Sequence, residues 1–504
     1  MKAKRVFING NLITLEDDLP PVQALAAYDG RIVAVGSNEH IQSLAGERTD
    51  TIDLQGKALL PGFIDAHTHL LHTGMERTLY ADLDTPSLDE LLQVVEAQAK
   101  TREPGQWVVG RGWDESNWPQ SDYPTKVDLD RVAPDHPLVL IRVCGHIVVV
   151  NSKALELVPV KDAAHTVDRN QGWLREESAW NFLDHIEPDL EERLKALKAG
   201  IQHAHRCGIT SIHDIADGAS VQTYMALKRA GELSLRVRLN LEHPLLEPLM
   251  QAGLQGEFGD DFLQLGALKL FADGSLGARN AALLEPYADA PDNNGVLNHV
   301  QSTLENWLSK GHKAGFQLMT HAIGDRAIEA VLDAYEAIGI STEDRARIEH
   351  LEMPNDAQLA RMHARGVIAS MQPNFLQWSG PQKLYVQRLG PDRDARIDPH
   401  HRVLAHGVPL AFSSDSMPLN PLYGLHLAVN APHEGQRLSV LEALRAYTLG
   451  GAYAGKSEQR LGSLKVGKQA DLVVLDENPL EAGGRLDQLR VMQVYVAGRP
   501  VLPS

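Results

Sequence analysis

Cysteine is almost missing from this chain of 504 residues, which has only Cys144 and Cys207. Two isolated thiols are too few for a disulfide framework or for a zinc site built from thiolates, and they fit a reducing compartment. Long apolar runs are missing too, since no stretch approaches the roughly 18 uninterrupted apolar residues that a membrane-spanning helix requires. We therefore expect no membrane-spanning segment and two ordinary buried thiols.

Basic residues are also fewer than acidic ones. The chain has 48 Lys and Arg against 66 Asp and Glu, a formal net charge of −18, and the acidic residues are scattered along it. Such a surface repels nucleic acids and anionic membranes, so we expect neither as a partner. No G-x-G-x-x-G or Walker pattern opens a helix, which argues against a nucleotide-binding site.

The first residues do not look like a secretion signal. The basic start Met1-Lys-Ala-Lys-Arg5 is followed by apolar residues that Asn9, Gly10 and Glu16 interrupt. This pattern lacks the apolar core of a signal peptide. We predict a cytoplasmic protein.

Apolar residues are plentiful enough for a large core. Hydrophobic residues make up 43% of the chain and charged residues 23%, as in ordinary globular proteins, and the length favours one large domain with a smaller accessory domain. Both ends of the chain read as short strands, and the Asp29-Gly30 pair is typical of a hairpin turn. We expect residues 1–58 and 456–504 to pair into one small β-sandwich domain.

Between these ends, strand-like apolar runs alternate with helical patterns, which is typical of parallel strands in βαβ units. The prediction is an α/β fold with a (β/α)8 TIM-like barrel over residues 59–455. Residues from about 80 to 180 are less regular, and we expect them to form an insertion that caps the active site. The predicted barrel strands are 59–65, 209–214, 265–271, 317–322, 347–350, 367–372 and 408–413.

Several of these runs end in residues that can bind metals. His67 and His69 end the first run, and their spacing puts both imidazoles on one face of the strand. His321 and His350 close two later runs, and Asp415 follows the last one. Since the chemistry of such a barrel sits at the C-terminal ends of its strands, the pattern predicts a metal centre. Taken singly, each residue could instead be a structural cap.

Lys269 lies within an apolar run, where an unpaired ammonium group is costly to bury. Addition of CO2 to its amine would give a carbamate whose carboxylate-like end could bridge two metal ions. The alternative is an ion pair with Asp273 or with a substrate anion. The sequence leaves both explanations open.

Two further side chains are candidates for substrate contacts. Trp113 lies in a segment that combines indoles with acidic groups, and large flat rings commonly line apolar pockets; the alternative is a place in the insertion's own core. Arg279 could meet a substrate carboxylate, or it could form a surface ion pair.

Several motifs together resemble the amidohydrolase superfamily, and within it the amidohydrolase-3 or YtcJ-like group, which includes N-substituted formamide deformylases. The similarity covers nearly the whole chain. The matching segments are Leu60-Pro-Gly-Phe-Ile-Asp-Ala-His-Thr-His69, Asn151-Ser-Lys-Ala-Leu155, Lys269-Leu-Phe-Ala-Asp-Gly-Ser-Leu276, His321-Ala-Ile-Gly-Asp-Arg-Ala327, Ile348-Glu-His350, Ser414-Asp415 and Gly467-Lys-Gln-Ala-Asp-Leu-Val-Val-Leu-Asp476.

This resemblance implies one or two divalent metal ions per chain, with zinc the expected ion, although such ligands also accept iron, manganese or cobalt. It also matches His146 to a substrate-contacting His, with a role in holding the insertion against the barrel as the alternative. Related proteins commonly pair, which allows a homodimer. The implied metal ligands are His67, His69, His321, His350 and Asp415, with Lys269 at the position of a carbamylated bridge.

The predicted chemistry is hydrolysis of a small-molecule substrate. A bound metal lowers the pKa of water toward about 7 and polarises a carbonyl, and Asp415 is the expected proton shuttle. We predict cleavage of a carbon–nitrogen bond in an amide, formamide or cyclic amide. The alternatives are an esterase, lactonase or phosphoesterase on the same scaffold, and a non-catalytic regulatory protein.

Overall fold

The computed structural model describes residues 2–20, 22–115, 118–120, 122–143, 145, 147–160, 166–175, 177–183, 185–186 and 188–503. The chain divides into two compact units, Met1–Leu70 with Ile201–Ser504, and Leu71–Gly200. Among these residues, no helix combines the length and the apolar character needed to cross a membrane. The predicted boundaries of the sandwich, the barrel and the capping insertion stay predictions.

A parallel sheet of eight strands, nearly closed into a barrel, forms the centre of the first unit. Its first and last strands meet where the backbone N–H of Asp415 donates to the carbonyl of His67, with an N···O distance of 3.0 Å. This sheet confirms the predicted TIM-like barrel. Barrel strands 1 to 8 are Phe63–Thr68, Ile209–Ala216, Arg236–Glu242, Leu263–Phe271, Gln317–Ala322, Arg347–His350, Ile368–Met371 and Leu410–Phe412.

Helices connect the barrel strands, and Asp356–Arg365 shows how the sequence fixes one of them. Asn355 caps its start by accepting a hydrogen bond from the N–H of Gln358, and Gly366 ends it with a φ of 67°, a conformation that glycine adopts without strain. The other helices of the first unit that follow strands 2 to 8 are Gly218–Arg229, Leu246–Gln251, Gln301–Lys313, Asp325–Ala337, Leu384–Leu389, Pro391–Asp394, His400–Ala405, Pro421–Val429, Val440–Arg445 and Gly451–Ala454.

The apolar run 59–65, which we predicted as the first barrel strand, belongs to two different sheets. Ala58–Pro61 pairs antiparallel with Leu472–Leu475 outside the barrel, and Phe63–Thr68 is barrel strand 1. Gly62 joins the two. A Cβ atom there would lie 2.2 Å from the side chain of Thr210, so only glycine lets strands 1 and 2 approach this closely.

Barrel strand 3, Arg236–Glu242, was not among the predicted strands. Strands buried on both faces usually read as continuous apolar runs, but this one alternates polar and apolar residues. Arg236, Arg238 and Asn240 are nevertheless buried. Arg236 is held by Asp471, with Nη2 3.0 Å from Oδ1, so an ion pair replaces the apolar contact that the pattern rule assumes.

The two ends of the chain form two smaller sheets of the first unit. One has four strands in the order Arg31–Gly36, Ala24–Tyr28, Arg5–Ile8 and Asp50–Asp53, and it contains the predicted Asp29-Gly30 hairpin. The other has five strands in the order Asn11–Leu12, Ala58–Pro61, Leu472–Leu475, Val491–Val496 and Arg499–Pro500. N-terminal and C-terminal strands therefore share a sheet.

The second unit has its own sheet and its own core. The sheet has six strands in the order Val167–Asp168, Trp173–Arg175, Ile147–Val150, Leu138–Arg142, Val108–Trp113 and Tyr80–Asp82. Apolar side chains are buried against it. The helices that begin in residues 70–190 are Leu70–Thr78, Leu88–Ala99, Lys126–Val132, Ser152–Leu157, Glu177–Leu183 and Leu190–Arg206.

Candidate metal centre

Three potential metal ligands meet where barrel strands 1 and 8 end. One ligand atom from each of His67, His69 and Asp415 lies within 4.8 Å of the others. Oδ1 of Asp415 is 3.2 Å from Nε2 of His69 and 3.5 Å from Nε2 of His67. Two imidazole nitrogens and one carboxylate oxygen make a donor set that suits Zn2+ and similar divalent ions.

His321 and His350, from strands 5 and 6, lie beside this group. The ring of His350 is 5.0 Å from that of His67 and 4.4 Å from that of His321, measured between ring centres. Nδ1 of His350 is 2.8 Å from Oε1 of Gln372, and Nε2 of His321 is 3.0 Å from the carbonyl of Gly274. Each ring therefore keeps one nitrogen for a metal ion.

Burial keeps the imidazoles of His67 and His350 neutral, as metal binding requires. At His69, burial acts to lower the pKa, but Asp415 outweighs it and raises the pKa. Burial, and then the nearby charge of Lys269, lower the pKa of His67 to about 4. Burial and then His321 lower the pKa of His350. For Asp415, burial acts to raise the pKa, but His67 and His69 outweigh it and lower the pKa, so this group is a carboxylate at neutral pH.

Lys269 is completely buried in strand 4, and its ammonium nitrogen has no hydrogen-bond partner in the described part of the chain. Burial lowers its pKa to about 8, which makes the neutral amine more accessible near neutral pH than it is for an exposed lysine. No ion pair joins Lys269 to Asp273, whose carboxylate accepts backbone hydrogen bonds from Ile323 and Gly324 at 3.1 and 2.9 Å. The Asp273 explanation for Lys269 thus has no support in the structure.

Glu349 orients His67 from inside the barrel. Its Oε2 is 2.6 Å from Nδ1 of His67, and both side chains are buried. Arg347, also fully buried, holds the same carboxylate with Nε 2.9 Å from Oε1. Burial acts to raise the pKa of Glu349, but Arg347 and then His67 outweigh it and lower the pKa to about 2. Nδ1 of His67 therefore donates to a carboxylate, which leaves Nε2 facing Asp415.

The backbone has positive φ at two of these residues, 71° at His350 and 52° at Asp415. Residues other than glycine rarely adopt this left-handed conformation, and it concentrates at functional sites. At His350 it ends strand 6, so the strict alternation of a β-strand no longer applies. Glu349 and His350 are adjacent in sequence, yet both reach the same cluster of imidazoles.

Comparison with known proteins identifies the family of the chain. Residues 50–502 match the amidohydrolase family. The chain belongs to this family. The YtcJ protein of Bacillus subtilis (strain 168) is 30% identical to this amidohydrolase over 99% of both chains. N-substituted formamide deformylase of Arthrobacter pascens is 29% identical, over 98% of this chain and 97% of its own.

A solved structure has the same fold. An uncharacterized metal-dependent hydrolase from Pyrococcus furiosus is 31% identical to this amidohydrolase and superimposes with a TM-score of 0.84, covering 95% of this chain and 100% of its own. The family and these neighbours together support a metal-dependent hydrolase.

Two of the three candidate substrate contacts, Trp113 and Arg279, are engaged in contacts within the protein. Trp113 is completely buried in the core of the second unit, 5.2 Å from Tyr123 between ring centres, which is the place that the core interpretation gives it. Arg279 forms an ion pair with Asp289 at 2.8 Å, as the surface ion-pair interpretation expects. His146 lies outside the described residues.

Sequence reasoning did not single out Glu349, Arg347 or Gln372 as functional residues. Glu349 stands inside the quoted Ile348-Glu-His350 motif, so its position beside a ligand was a usable signal. Gln372 ends the predicted strand 367–372, so its position was a usable signal as well. Arg347 carried no such signal, because its contact with the carbonyl of Ala66 joins strands far apart in sequence.

Proposed function

We propose that this amidohydrolase uses an activated water molecule to hydrolyse a carbon–nitrogen bond in a small amide, formamide or cyclic amide. The observation that carries the proposal is the convergence of His67, His69 and Asp415, with His321 and His350 beside them. The similarity to a formamide deformylase over nearly the whole chain supports the choice of bond. Zinc as the ion, a homodimer and a cytoplasmic location remain predictions.

The residues present fit a divalent ion. His67, His69 and Asp415 would hold it, with His321, His350 and a carbamate on Lys269 as ligands of a second ion. An ion bound there would polarise the substrate carbonyl and lower the pKa of water toward about 7. The buried amine of Lys269, which has no hydrogen-bond partner among the described residues, supports the second position. A carbamate would give this side chain a charge that the ions balance.

Asp415 is the proposed proton shuttle. It is ionised at neutral pH because His67 and His69 lower its pKa against the effect of burial. It can therefore accept a proton from the attacking water and then donate it to the leaving nitrogen. Transfer to nitrogen completes the reaction, since an amine leaves more readily than an amide anion. Glu349 keeps His67 in one tautomer throughout.

Activity against matched substrates tests the proposed bond. We expect the zinc-loaded enzyme to hydrolyse members of a panel of N-substituted formamides, simple amides and cyclic amides, and to lose that activity when a chelator removes the metal. Esters, lactones and phosphoesters of the same carbon skeletons form the comparison panel. Faster turnover of the oxygen-containing panel would replace the proposal with an esterase or lactonase, and activity that survives complete metal removal would contradict both.

The number of ions depends on Lys269. In protein grown with zinc and bicarbonate, elemental analysis is expected to give about two equivalents of metal per chain, because a carbamate on Lys269 would add a carboxylate-like ligand for a second ion. In a Lys269→Ala variant the content should fall to one equivalent or less. Lys310→Ala is the matched control, since Lys310 is a surface lysine paired with Glu247. One equivalent in all three proteins would favour a one-metal mechanism and assign Lys269 to packing or substrate binding.

A further inference from the structure

Asp214 is a fully buried carboxyl group outside the candidate ligand set. It lies near the end of barrel strand 2, Ile209–Ala216, and pairs in register with Thr68 of strand 1. Thr68 is the last residue of strand 1 and directly precedes His69, one of the three candidate ligands. Asp214 therefore lies beside the point where the chain leaves the barrel with a ligand.

Asp214 accepts hydrogen bonds from both neighbours of His69. The hydroxyl of Thr68 and the backbone N–H of Leu70 both donate to Oδ1 of Asp214, each with a donor–acceptor distance of 2.7 Å. Thr68 and Leu70 are completely buried, as Asp214 is. Hydrogen bonds that a carboxylate accepts are shorter and stronger than those between neutral groups. One oxygen atom thus holds the chain on both sides of His69.

A tyrosine holds the second oxygen of Asp214. The hydroxyl of Tyr224, on the helix Gly218–Arg229, donates to Oδ2 at 2.7 Å, and this tyrosine is completely buried. Burial, and then Asp214, keep the pKa of the Tyr224 hydroxyl well above its usual value, so the hydroxyl remains a donor at neutral pH. The three donors together fix both the position and the rotation of the carboxyl group.

The ring of His69 is less enclosed than that of His67. The side chain of His67 is 1% exposed and meets the carboxylate of Glu349, whereas the side chain of His69 is 38% exposed. The backbone of His69 is held instead, because its N–H donates to Oγ of Ser416 at 3.1 Å while Asp214 holds the residues on either side. With the backbone held in this way, metal binding has only the side-chain torsions of His69 left to order.

We propose that Asp214 is a positioning residue that holds His69 ready for metal binding, and that Tyr224 holds Asp214 in turn. The inference rests on the proposed metal centre and adds to it a support that acts through the backbone of a ligand. Preorganising a ligand raises its affinity, because binding no longer has to order it. Groups that orient metal ligands typically change metal affinity or activity by about tenfold to a hundredfold when they are replaced.

An ordinary contact between strands 1 and 2 would have a different effect. Such a contact contributes to the free energy of unfolding whether or not metal is bound, and its loss leaves the metal affinity of the folded protein unchanged. Loss of a positioning residue lowers that affinity as well, because the ligand has to be ordered when the ion binds. Metal affinity of the folded protein therefore separates the two roles.

Zinc titration of folded variants tests the proposal. In Asp214→Ala, competition with a chromophoric chelator is expected to give a zinc dissociation constant about tenfold to a hundredfold above that of the wild type. The visible spectrum of the cobalt-substituted variant should also change, because it reports the geometry of the ligands. Asp214→Asn should restore most of the affinity, since its oxygen can accept from Thr68 and Leu70 while its amide donates to the hydroxyl of Tyr224.

Asn151→Ala is the matched control. Asn151 is 1% exposed, and its side chain makes three hydrogen bonds in the second unit, with the N–H groups of Leu138 and Ala154 and with the carbonyl of His136. This variant should lose stability in chemical denaturation of the metal-free protein and keep the zinc affinity of the wild type. Wild-type zinc affinity in Asp214→Ala would overturn the proposal, and so would an Asp214→Asn variant that binds zinc as weakly as Asp214→Ala.

A second variant keeps the test open if Asp214→Ala does not fold. Thr68→Val removes the hydroxyl donor and keeps a side chain of similar shape, so a higher zinc dissociation constant is expected, and unchanged affinity would overturn the proposal. The same titration distinguishes the two possible failures. A wild-type protein that binds no divalent ion would overturn the metal centre and this inference with it, whereas normal binding in the wild type and in every variant would overturn this inference alone.

Discussion

Replacing Asp415 with alanine is expected to lower kcat by about a hundredfold to ten-thousandfold, the range that a general acid–base group contributes. The side chain is the carboxylate of the three-residue group, 3.2 Å from His69 and 3.5 Å from His67. Its removal would take away a proposed metal ligand and the proposed proton shuttle together. Steady-state kinetics on the substrate found by the amide and formamide panel, with metal content measured in parallel, checks this expectation.

A second substitution separates the two roles of Asp415. Asparagine keeps the shape and one oxygen donor but cannot carry a proton, so Asp415→Asn should retain more metal than Asp415→Ala while its kcat stays low. Asp333→Asn is the control, because Asp333 forms a surface ion pair with Arg361 and is 55% exposed. Residual kcat above a few per cent in metal-loaded Asp415→Asn would show that another group carries the proton.

The barrel could be predicted from sequence because most of its strands are buried on both faces. The strand Gln317–Ala322, for example, is buried at every position except His321, which is one residue before its end. Strand 3 was not predicted because its buried side chains include Arg236 and Arg238. Their partners Asp471 and Glu257 are known only from the fold. A rule based on apolar runs cannot detect a strand whose burial depends on ion pairs.

The strand ends could be predicted, but the contacts that orient the candidate ligands could not. His67, His350 and Asp415 became candidates from position alone, since each ends or follows a predicted strand. The residue types do not predict the positive φ at His350 and Asp415. They do not predict the hydrogen bond from His67 to Glu349 either. Trp113 shows the same limit, because an indole in a core and an indole in a pocket look alike in sequence.

Loss of the charge on Glu349 is expected to have the largest effect on stability. Glu349→Gln would leave the guanidinium of Arg347 fully buried without its carboxylate, and breaking a buried pair in this way costs about 3–5 kcal/mol. Glutamine has one acceptor oxygen where the carboxylate has two, so it cannot serve both His67 and Arg347 in the same way. The weaker hold on the tautomer of His67 is expected to lower metal affinity or activity by about tenfold to a hundredfold. Chemical denaturation of the metal-free protein measures the first effect, and metal titration of the folded variant measures the second.

Glu329→Gln is the matched control for this prediction. Glu329 also pairs with an arginine, Arg361, at 2.6 Å, but its side chain is 45% exposed, and exposed pairs contribute only about 0–1 kcal/mol. The two substitutions make the same chemical change, so the difference between the two losses of stability measures the effect of burial. If both variants lost equal stability, the inner ion pair would not be supporting the metal centre. If Glu349→Gln lost stability but bound metal with unchanged affinity, its role would be confined to folding, and the orientation of His67 would have to come from the strand itself.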